Sequence, residues 1–171
     1  FTVALQYDPI PTLGTSWKIG IDRGWSLTVL GSPVLVETWE NVANTIPVVP
    51  FITREDLPGD TLVPWEERPY DFGFINPTHH KGFNTVLKLI SSMPDKKFLI
   101  KPGGYHHSVV IDKLEQWFPN VTVGGWYESM NDFYQQCKSI LYPSLWEGFG
   151  MVPMEAASNG CLVFANDHPI I

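Results

Sequence analysis

Two acidic residues, Glu147 and Glu155, flank a loop that contains glycine, with seven residues between them. A carboxylate accepts hydrogen bonds from hydroxyl groups, and the vicinal hydroxyls of a ribose or a hexose suit it well. Between the two acids, Gly148, Phe149 and Gly150 precede a helical pattern. Backbone N–H groups at the start of a helix, together with the positive end of the helix dipole, attract phosphate. The stretch is therefore typical of a pocket for a ligand that carries both a sugar and a phosphate.

The residues around this loop predict a strand, a loop and a helix in succession. An apolar run over residues 139–142 favours a strand, and residues 151–159 favour a helix that stops before Gly160. Glycine suits the left-handed position that follows a helix end. Pro153 falls in the first helical turn, where its missing N–H has no intrahelical partner to lose.

A candidate cation, Lys81, opens a second predicted helix in the pair Lys81-Gly82. An ammonium group at this place can neutralise the charge of a leaving diphosphate. The alternative is a solvated lysine at a helix start, which needs no ligand.

Strand and helix patterns alternate at short intervals after residue 70, and the strands are apolar throughout. This order predicts an α/β fold with a Rossmann-like, doubly wound parallel sheet that is covered on both faces. Ligands of such folds bind at the carboxyl ends of the strands. We therefore expect four loops to converge on one edge of the sheet, namely residues 76–81, 101–104, 124–126 and 143–150.

The first 69 residues are rich in proline and glycine and contain only short strand-like runs, at residues 1–5, 26–30 and 34–36. They are predicted to be an irregular N-terminal extension or interdomain segment, and residues 70–171 to be the Rossmann-like domain. The charged, proline-containing residues 54–68 predict a surface connection between the two.

Composition narrows the classes of function. The chain of 171 residues has a net charge of −7 and no basic run, which argues against nucleic acid as a partner. Its two cysteines, Cys137 and Cys161, stand in apolar contexts that predict buried free thiols and a reducing, cytoplasmic compartment. The adjacent histidines at 79–80 and 106–107 make poor chelates, so no metal site is expected.

The stretch PSLWEGFGMVPMEA resembles the Glu-x7-Glu signature of retaining glycosyltransferases of the family 4 type. Members of that family have the GT-B fold of two Rossmann-like domains, and residues 70–168 can be laid on the C-terminal, donor-binding one. The resemblance implies that Glu147 binds the transferred sugar and acts in catalysis with Lys81, and that Glu155 holds the nucleoside ribose. The implied donor-binding residues are Asn76, Gly103 and the backbone N–H groups of Gly148, Phe149, Gly150, Met151 and Val152. Gly103 would allow the donor to approach closely, and the alternative for this glycine is a plain turn.

The resemblance also implies which donor and acceptor the protein would bind. The donor would be a UDP- or GDP-sugar, with no further cofactor and no metal, and the acceptor hydroxyl would belong to a glycan, a lipid or a small molecule. Family members bind the acceptor on a separate N-terminal Rossmann domain, for which 69 residues are too few, so an acceptor domain is expected to be missing. Attachment to a membrane surface and the oligomeric state stay open.

One position departs from the family pattern. Asn76 stands where the family has an arginine five residues before the lysine, and it brings a hydrogen-bond donor without a charge. A second interpretation is therefore a non-catalytic nucleotide or nucleotide-sugar binding module. A dinucleotide enzyme is disfavoured, because the third glycine of its Gly-x-Gly-x-x-Gly fingerprint would fall on Pro153.

Overall fold

The computed structural model describes residues 57–59, 61–103, 109–147 and 150–167, together with the backbone of three short strands nearer the N-terminus. These strands are β1 (Val3–Gln6), β2 (Leu27–Leu30) and β3 (Thr45–Pro47), and they form a parallel sheet in that order. The sheet adds regular structure to the segment that the sequence predicted to be an irregular extension. β1 and β2 overlap the strand-like runs predicted at residues 1–5 and 26–30.

A five-stranded parallel sheet with the strand order β6-β5-β4-β7-β8 forms the second part of the structure. A short 3-10 turn, Trp65–Glu67, precedes it. Its elements are β4 (Tyr70–Ile75), α1 (Phe83–Ser92), β5 (Phe98–Lys101), α2 (Val109–Trp117), β6 (Val121–Val123), α3 (Met130–Tyr134), β7 (Cys137–Tyr142), α4 (Met151–Ser158) and β8 (Leu162–Ala165). The predicted Rossmann-like α/β fold is confirmed.

The direction of winding reverses at the centre of this sheet. From β4 the chain moves outward through β5 to β6, and it then returns to place β7 on the other side of β4. β8 continues outward from β7. The neighbouring strands β4 and β7 therefore mark the topological switch point, where open α/β sheets leave a crevice for ligands.

Side chains that alternate along the strands fill a core on each face of the sheet. On β5, Phe98 and Ile100 belong to one buried cluster and Leu99 to the other, as the two-residue period of a strand requires. The first cluster packs under α1 and α2, and the second under α3 and α4. Burial on both faces explains why the central strands are apolar throughout.

The chain divides into two compact units. One consists of Phe1–Phe51, Trp146–Met151 and Asp167–Ile171, and the other of Ile52–Leu145 and Val152–Asn166. The predicted domain start at residue 70 coincides with the first residue of β4, and the domain limits of 1–69 and 70–171 stay predictions. Among the described residues, no helix is long and apolar enough to cross a membrane.

Arg68 is a buried anchor, although it falls in the segment predicted to be a surface connection. The residue is 3% exposed. Its guanidinium donates hydrogen bonds to the carbonyl oxygens of Val63, Cys137 and Asn159, the last at 2.7 Å. The prediction was wrong at this residue, because a charged side chain can be buried when backbone carbonyls accept its N–H groups.

Both cysteines are buried free thiols, as predicted. The Cys161 Sγ lies 3.3 Å from the guanidinium of Arg68 and donates to the carbonyl oxygen of Tyr134. Burial raises the pKa of the Cys161 thiol, and the nearby positive charge opposes that rise only in part. Both features favour a packing role over a reactive one.

Replacing Arg68 tests this anchor. We expect Arg68→Leu to lower the free energy of unfolding by about 2–4 kcal/mol, because buried carbonyl oxygens lose their donors. Chemical denaturation provides the measurement. Lys113→Leu is the control, since it removes the same charge from an exposed position on α2 and should change the stability little. Equal effects of the two substitutions would contradict the anchoring role.

Candidate functional site

The loops that follow β4 and β7 are joined directly at the carboxyl edge of the sheet. The backbone N–H of Leu145 donates a 2.8 Å hydrogen bond to the carbonyl oxygen of His80. Gly82 adopts a φ of 78°, and a Cβ atom there would overlap the carbonyl group of Pro143. Only glycine fits both the left-handed backbone and this close approach. The contact fixes the loop that carries Lys81 against the loop that leads toward Glu147.

The β7 loop is also held from its other side by the residue that follows β8. The side-chain amide of Asn166 donates to the carbonyl oxygen of Ser144 at 3.0 Å. The segments that follow three neighbouring strands of the sheet, β4, β7 and β8, are therefore joined by hydrogen bonds at its carboxyl edge.

A cleft of about 170 Å³ lies at the switch point between β4 and β7. Among its lining residues are three predicted site residues, Asn76, Lys81 and Val152. The other lining residues are Phe74, Ile75, Leu141, Tyr142 and Ser144. The structure thus brings together residues from β4, its loop, the end of β7 and the start of α4.

Lys81 lies beside an aromatic ring within this cleft. Its Nζ is 5.8 Å from the centroid of the Tyr142 ring, which is within the range of a cation–π interaction. Tyr142 is buried at the last position of β7. The ring holds the ammonium group close to the cleft and leaves its positive charge in place.

Ser144 is a cleft residue that sequence reasoning missed. The residue is 1% exposed, and its hydroxyl has no hydrogen-bond partner among the described residues. Buried hydroxyl groups are normally paired, so an unpaired one that lines a cleft points to a missing partner. The Pro143-Ser144 step before the acidic loop was a signal that could have identified it.

Asn76 directly follows the last residue of β4 and has a left-handed conformation with a φ of 56°. Asparagine tolerates this conformation better than most residues. Its backbone N–H donates to the carbonyl oxygen of Lys101 at 2.8 Å. A Cβ atom on Gly103 would lie 2.5 Å from the side-chain oxygen of Asn76. Gly103 therefore makes room for this side chain, and its contact with a donor stays a prediction.

The acidic loop is described in part. Gly148 and Phe149 lie outside the described residues, whereas Gly150 has a φ of 83° directly before α4 begins at Met151. Glu147 is buried, with 8% exposure, in the segment Trp146–Met151 that groups with the other compact unit. Its role in binding the sugar stays a prediction, as do the backbone contacts of the loop.

Glu155 is half-buried on α4 and is held by a tyrosine. Its Oε2 accepts a 2.5 Å hydrogen bond from the Tyr134 hydroxyl. Burial is the main cause that raises the pKa of Tyr134 far above its usual value, and the hydrogen bond to Glu155 adds to it. Tyr134 therefore stays protonated at any physiological pH and always donates to Glu155.

Trp126 follows β6 at the same edge of the sheet and is 86% exposed. The aromatic residue does not belong to either core, so its side chain is available to a ligand or partner. Among the described residues, no three His, Cys, Asp or Glu side chains are close enough together to hold a metal ion. His106 and His107 lie outside the described residues.

The close approach at Gly82 is open to a direct test. Gly82→Ala should lower the free energy of unfolding by about 2–4 kcal/mol, because alanine meets both the left-handed backbone and the Pro143 carbonyl. Gly125→Ala is the matched control, since a Cβ atom there meets nothing within 4 Å. Thermal and chemical denaturation report the difference. A Gly82→Ala variant as stable as the control would contradict the account of the joined loops.

Comparison with known proteins identifies the family of this chain. The glycosyl transferases group 1 family matches residues 74–171, which is more than half of the chain. An uncharacterized 41.2 kDa protein in the cps region of Klebsiella pneumoniae is 30% identical over 89 residues, which are 51% of this chain and 24% of that protein.

Solved structures share the fold at low sequence identity. TarM superimposes with a TM-score of 0.72 at 16% identity, over 98% of this chain and 36% of TarM. HepE of Anabaena, solved with UDP and glucose, gives a TM-score of 0.70 at 15% identity, over 95% of this chain and 52% of HepE. The pneumococcal O-GlcNAc transferase GtfA, solved with UDP and GlcNAc, gives a TM-score of 0.64 at 17% identity, over 91% of this chain and 32% of GtfA.

The chain thus spans about a quarter of the curated relative and a third to a half of these structures. From the family match and the shared fold, we conclude that the chain belongs to the group 1 glycosyl transferases of the GT-B type.

Proposed function

We propose that this chain binds the nucleotide-diphosphate sugar in a retaining glycosyl transfer of the family 4 type. The observation that carries the proposal is the cleft at the switch point, which is lined by Asn76, Lys81, Ser144 and Val152. A cation, an amide and an unpaired hydroxyl meet there at the start of a helix. These are the groups that a diphosphate requires from a protein.

Within this cleft, Lys81 would neutralise the charge that builds up on the departing diphosphate. The N-terminus of α4 would add backbone N–H groups and the positive end of its dipole. A phosphate oxygen would give the hydroxyl of Ser144 the hydrogen-bond partner that none of the described residues provides. An overall charge of −7 makes this local concentration of donors necessary, because the protein as a whole repels an anion.

The backbone at position 76 suits the asparagine that stands where the resembled family has an arginine. Position 76 is left-handed, and the side chain of Asn76 packs against Gly103. Because Asn76 carries no charge, the site would stabilise the diphosphate with Lys81, the hydroxyl of Ser144 and backbone N–H groups. No metal ion is needed in this scheme, since charge neutralisation is assigned to the lysine and the helix.

A UDP-sugar is the donor that we favour. HepE and GtfA, which share this fold, were both solved with UDP and a sugar. Glu155 would hold the ribose, and Glu147 would hold hydroxyls of the transferred sugar. The exposed Trp126, at the same edge of the sheet, would stack on the base.

The reaction would proceed by attack of an acceptor hydroxyl on the face of the sugar from which UDP departs. Its transition state resembles an oxocarbenium ion, and the protein mainly orients the sugar and stabilises the leaving group. The acceptor, a glycan, lipid or small molecule, would bind a further N-terminal domain. We propose that the protein works in the cytoplasm, with the membrane surface as one place where it meets its acceptor.

Glu147→Gln tests the catalytic assignment. The substitution keeps the shape of the side chain and removes its charge. We expect release or transfer of glucose and GlcNAc from their UDP conjugates to fall roughly a hundredfold. The affinity for UDP, measured by calorimetry, should stay unchanged, because Glu147 is assigned to the sugar and not to the nucleotide.

Glu67→Ala is the control, since its exposed carboxylate lies before β4 and so at the opposite edge of the sheet. It should retain full activity. A wild-type chain that binds UDP but neither transfers nor releases sugar would favour the alternative function, a nucleotide-sugar binding module. A chain that binds no UDP, GDP or ADP would contradict the proposal.

A further inference from the structure

We propose that Tyr134 is a positioning residue that orients the carboxylate of Glu155 toward the ribose of the donor. This inference rests on the proposed function and assigns a role to a residue outside the cleft. Its basis is the 2.5 Å hydrogen bond from the Tyr134 hydroxyl to Oε2 of Glu155, which joins the C-terminal end of α3 to the middle of α4.

Glu155 stands at the right place on its helix to face the ligand. It follows Val152 by three residues, and residues three apart lie on the same side of a helix. Val152 lines the cleft at the switch point. Glu155 therefore lies one helical turn beyond Val152, on the side of α4 that faces the cleft.

The tyrosine is itself fixed in place. Tyr134 is fully buried, and its ring packs edge-on against Phe133 with a centroid distance of 5.6 Å. Because its hydroxyl remains protonated, it acts as a hydrogen-bond donor to Glu155 throughout the physiological pH range. A rigid donor at one carboxylate oxygen restricts the rotation of a side chain that would otherwise have several rotamers.

A second pair of side chains holds the same two helices together. The amide nitrogen of Asn159 donates to the side-chain oxygen of Asn131 at 2.7 Å. Ser129 caps α3 by accepting a hydrogen bond from the backbone N–H of Asn131. The helix that carries Tyr134 is therefore anchored to the helix that carries Glu155 independently of the tyrosine bond. Loss of that bond should leave the helices in place and free only the carboxylate.

The other oxygen of Glu155, Oε1, accepts no hydrogen bond from the described residues. A carboxylate with one oxygen fixed presents the second in a defined direction, as recognition of a ribose hydroxyl requires. In the proposed role, Oε2 is bound to the protein and Oε1 is left to accept a hydrogen bond from the ribose.

Tyr134→Phe removes the hydroxyl and keeps the ring. The affinities of UDP, GDP and ADP and of their 2′-deoxy and 3′-deoxy analogues are measured by calorimetry on the full chain. We expect the wild type to prefer a ribonucleoside diphosphate over at least one deoxy analogue, and Tyr134→Phe to reduce that preference about tenfold. A purely structural role would weaken the ribo and deoxy forms equally and would leave the preference unchanged.

Tyr127→Phe is the matched control. The Tyr127 ring also packs edge-on against Phe133 at 5.6 Å, but no bond joins its hydroxyl to Glu155. This variant should keep the wild-type preference. In a Glu155→Gln background, Tyr134→Phe should have little further effect, because both substitutions disturb the same contact.

Each outcome of these measurements decides the question. Equal weakening of ribo and deoxy forms, an unchanged preference in Tyr134→Phe, or an equal loss in Tyr127→Phe would overturn the positioning role and leave the proposed function intact. A wild type that binds nucleotides without any preference for ribose would overturn the positioning role together with the assignment of Glu155 to the ribose, and would leave diphosphate binding in the cleft intact. A wild type that binds none of the three diphosphates would overturn the proposed function, and the role of Tyr134 with it.

Discussion

The close contact between the loops after β4 and β7 is the constraint on which the site depends. Gly82 lies against the carbonyl of Pro143, and His80 accepts a hydrogen bond from Leu145. These loops leave the sheet where its winding reverses, so they would otherwise diverge and leave an open crevice. Joining them narrows the crevice to a cleft that has Lys81 on one wall and the start of α4 on the other.

The charges and donors around this cleft are suited to an anion in an acidic protein. Lys81 keeps its position beside the ring of Tyr142, and Ser144 offers a hydroxyl that no described residue satisfies. An unpaired buried hydroxyl costs stability in the absence of a ligand and contributes to affinity when a ligand pairs with it. Glu155 is prepared for a ligand in a different way, because its hydrogen bond with Tyr134 fixes its orientation before any ligand arrives.

The sequence was sufficient for the fold, because alternating apolar strands and amphipathic helices allow few arrangements. The same order of elements predicts that the site lies at the carboxyl edge of the sheet. It could not reveal contacts between residues far apart in the chain. Arg68 looked like a surface charge, since two of the three carbonyls that bind it come from residues about 70 and 90 positions later. The hydrogen bond between Tyr134 and Glu155 could not be predicted for the same reason, because 21 positions separate the two residues in the chain.

A titration of the isotopically labelled chain with UDP, followed by amide NMR spectra, tests the central claim most directly. We predict shifts of the amide signals of Lys81, Gly82, Ser144 and Val152, which surround the cleft at the carboxyl edge. The amide signals of Lys97 and Asn120, in a second cleft at the amino edge of the sheet, should stay unchanged. Shifts confined to that amino edge, or no shifts at all, would contradict the account.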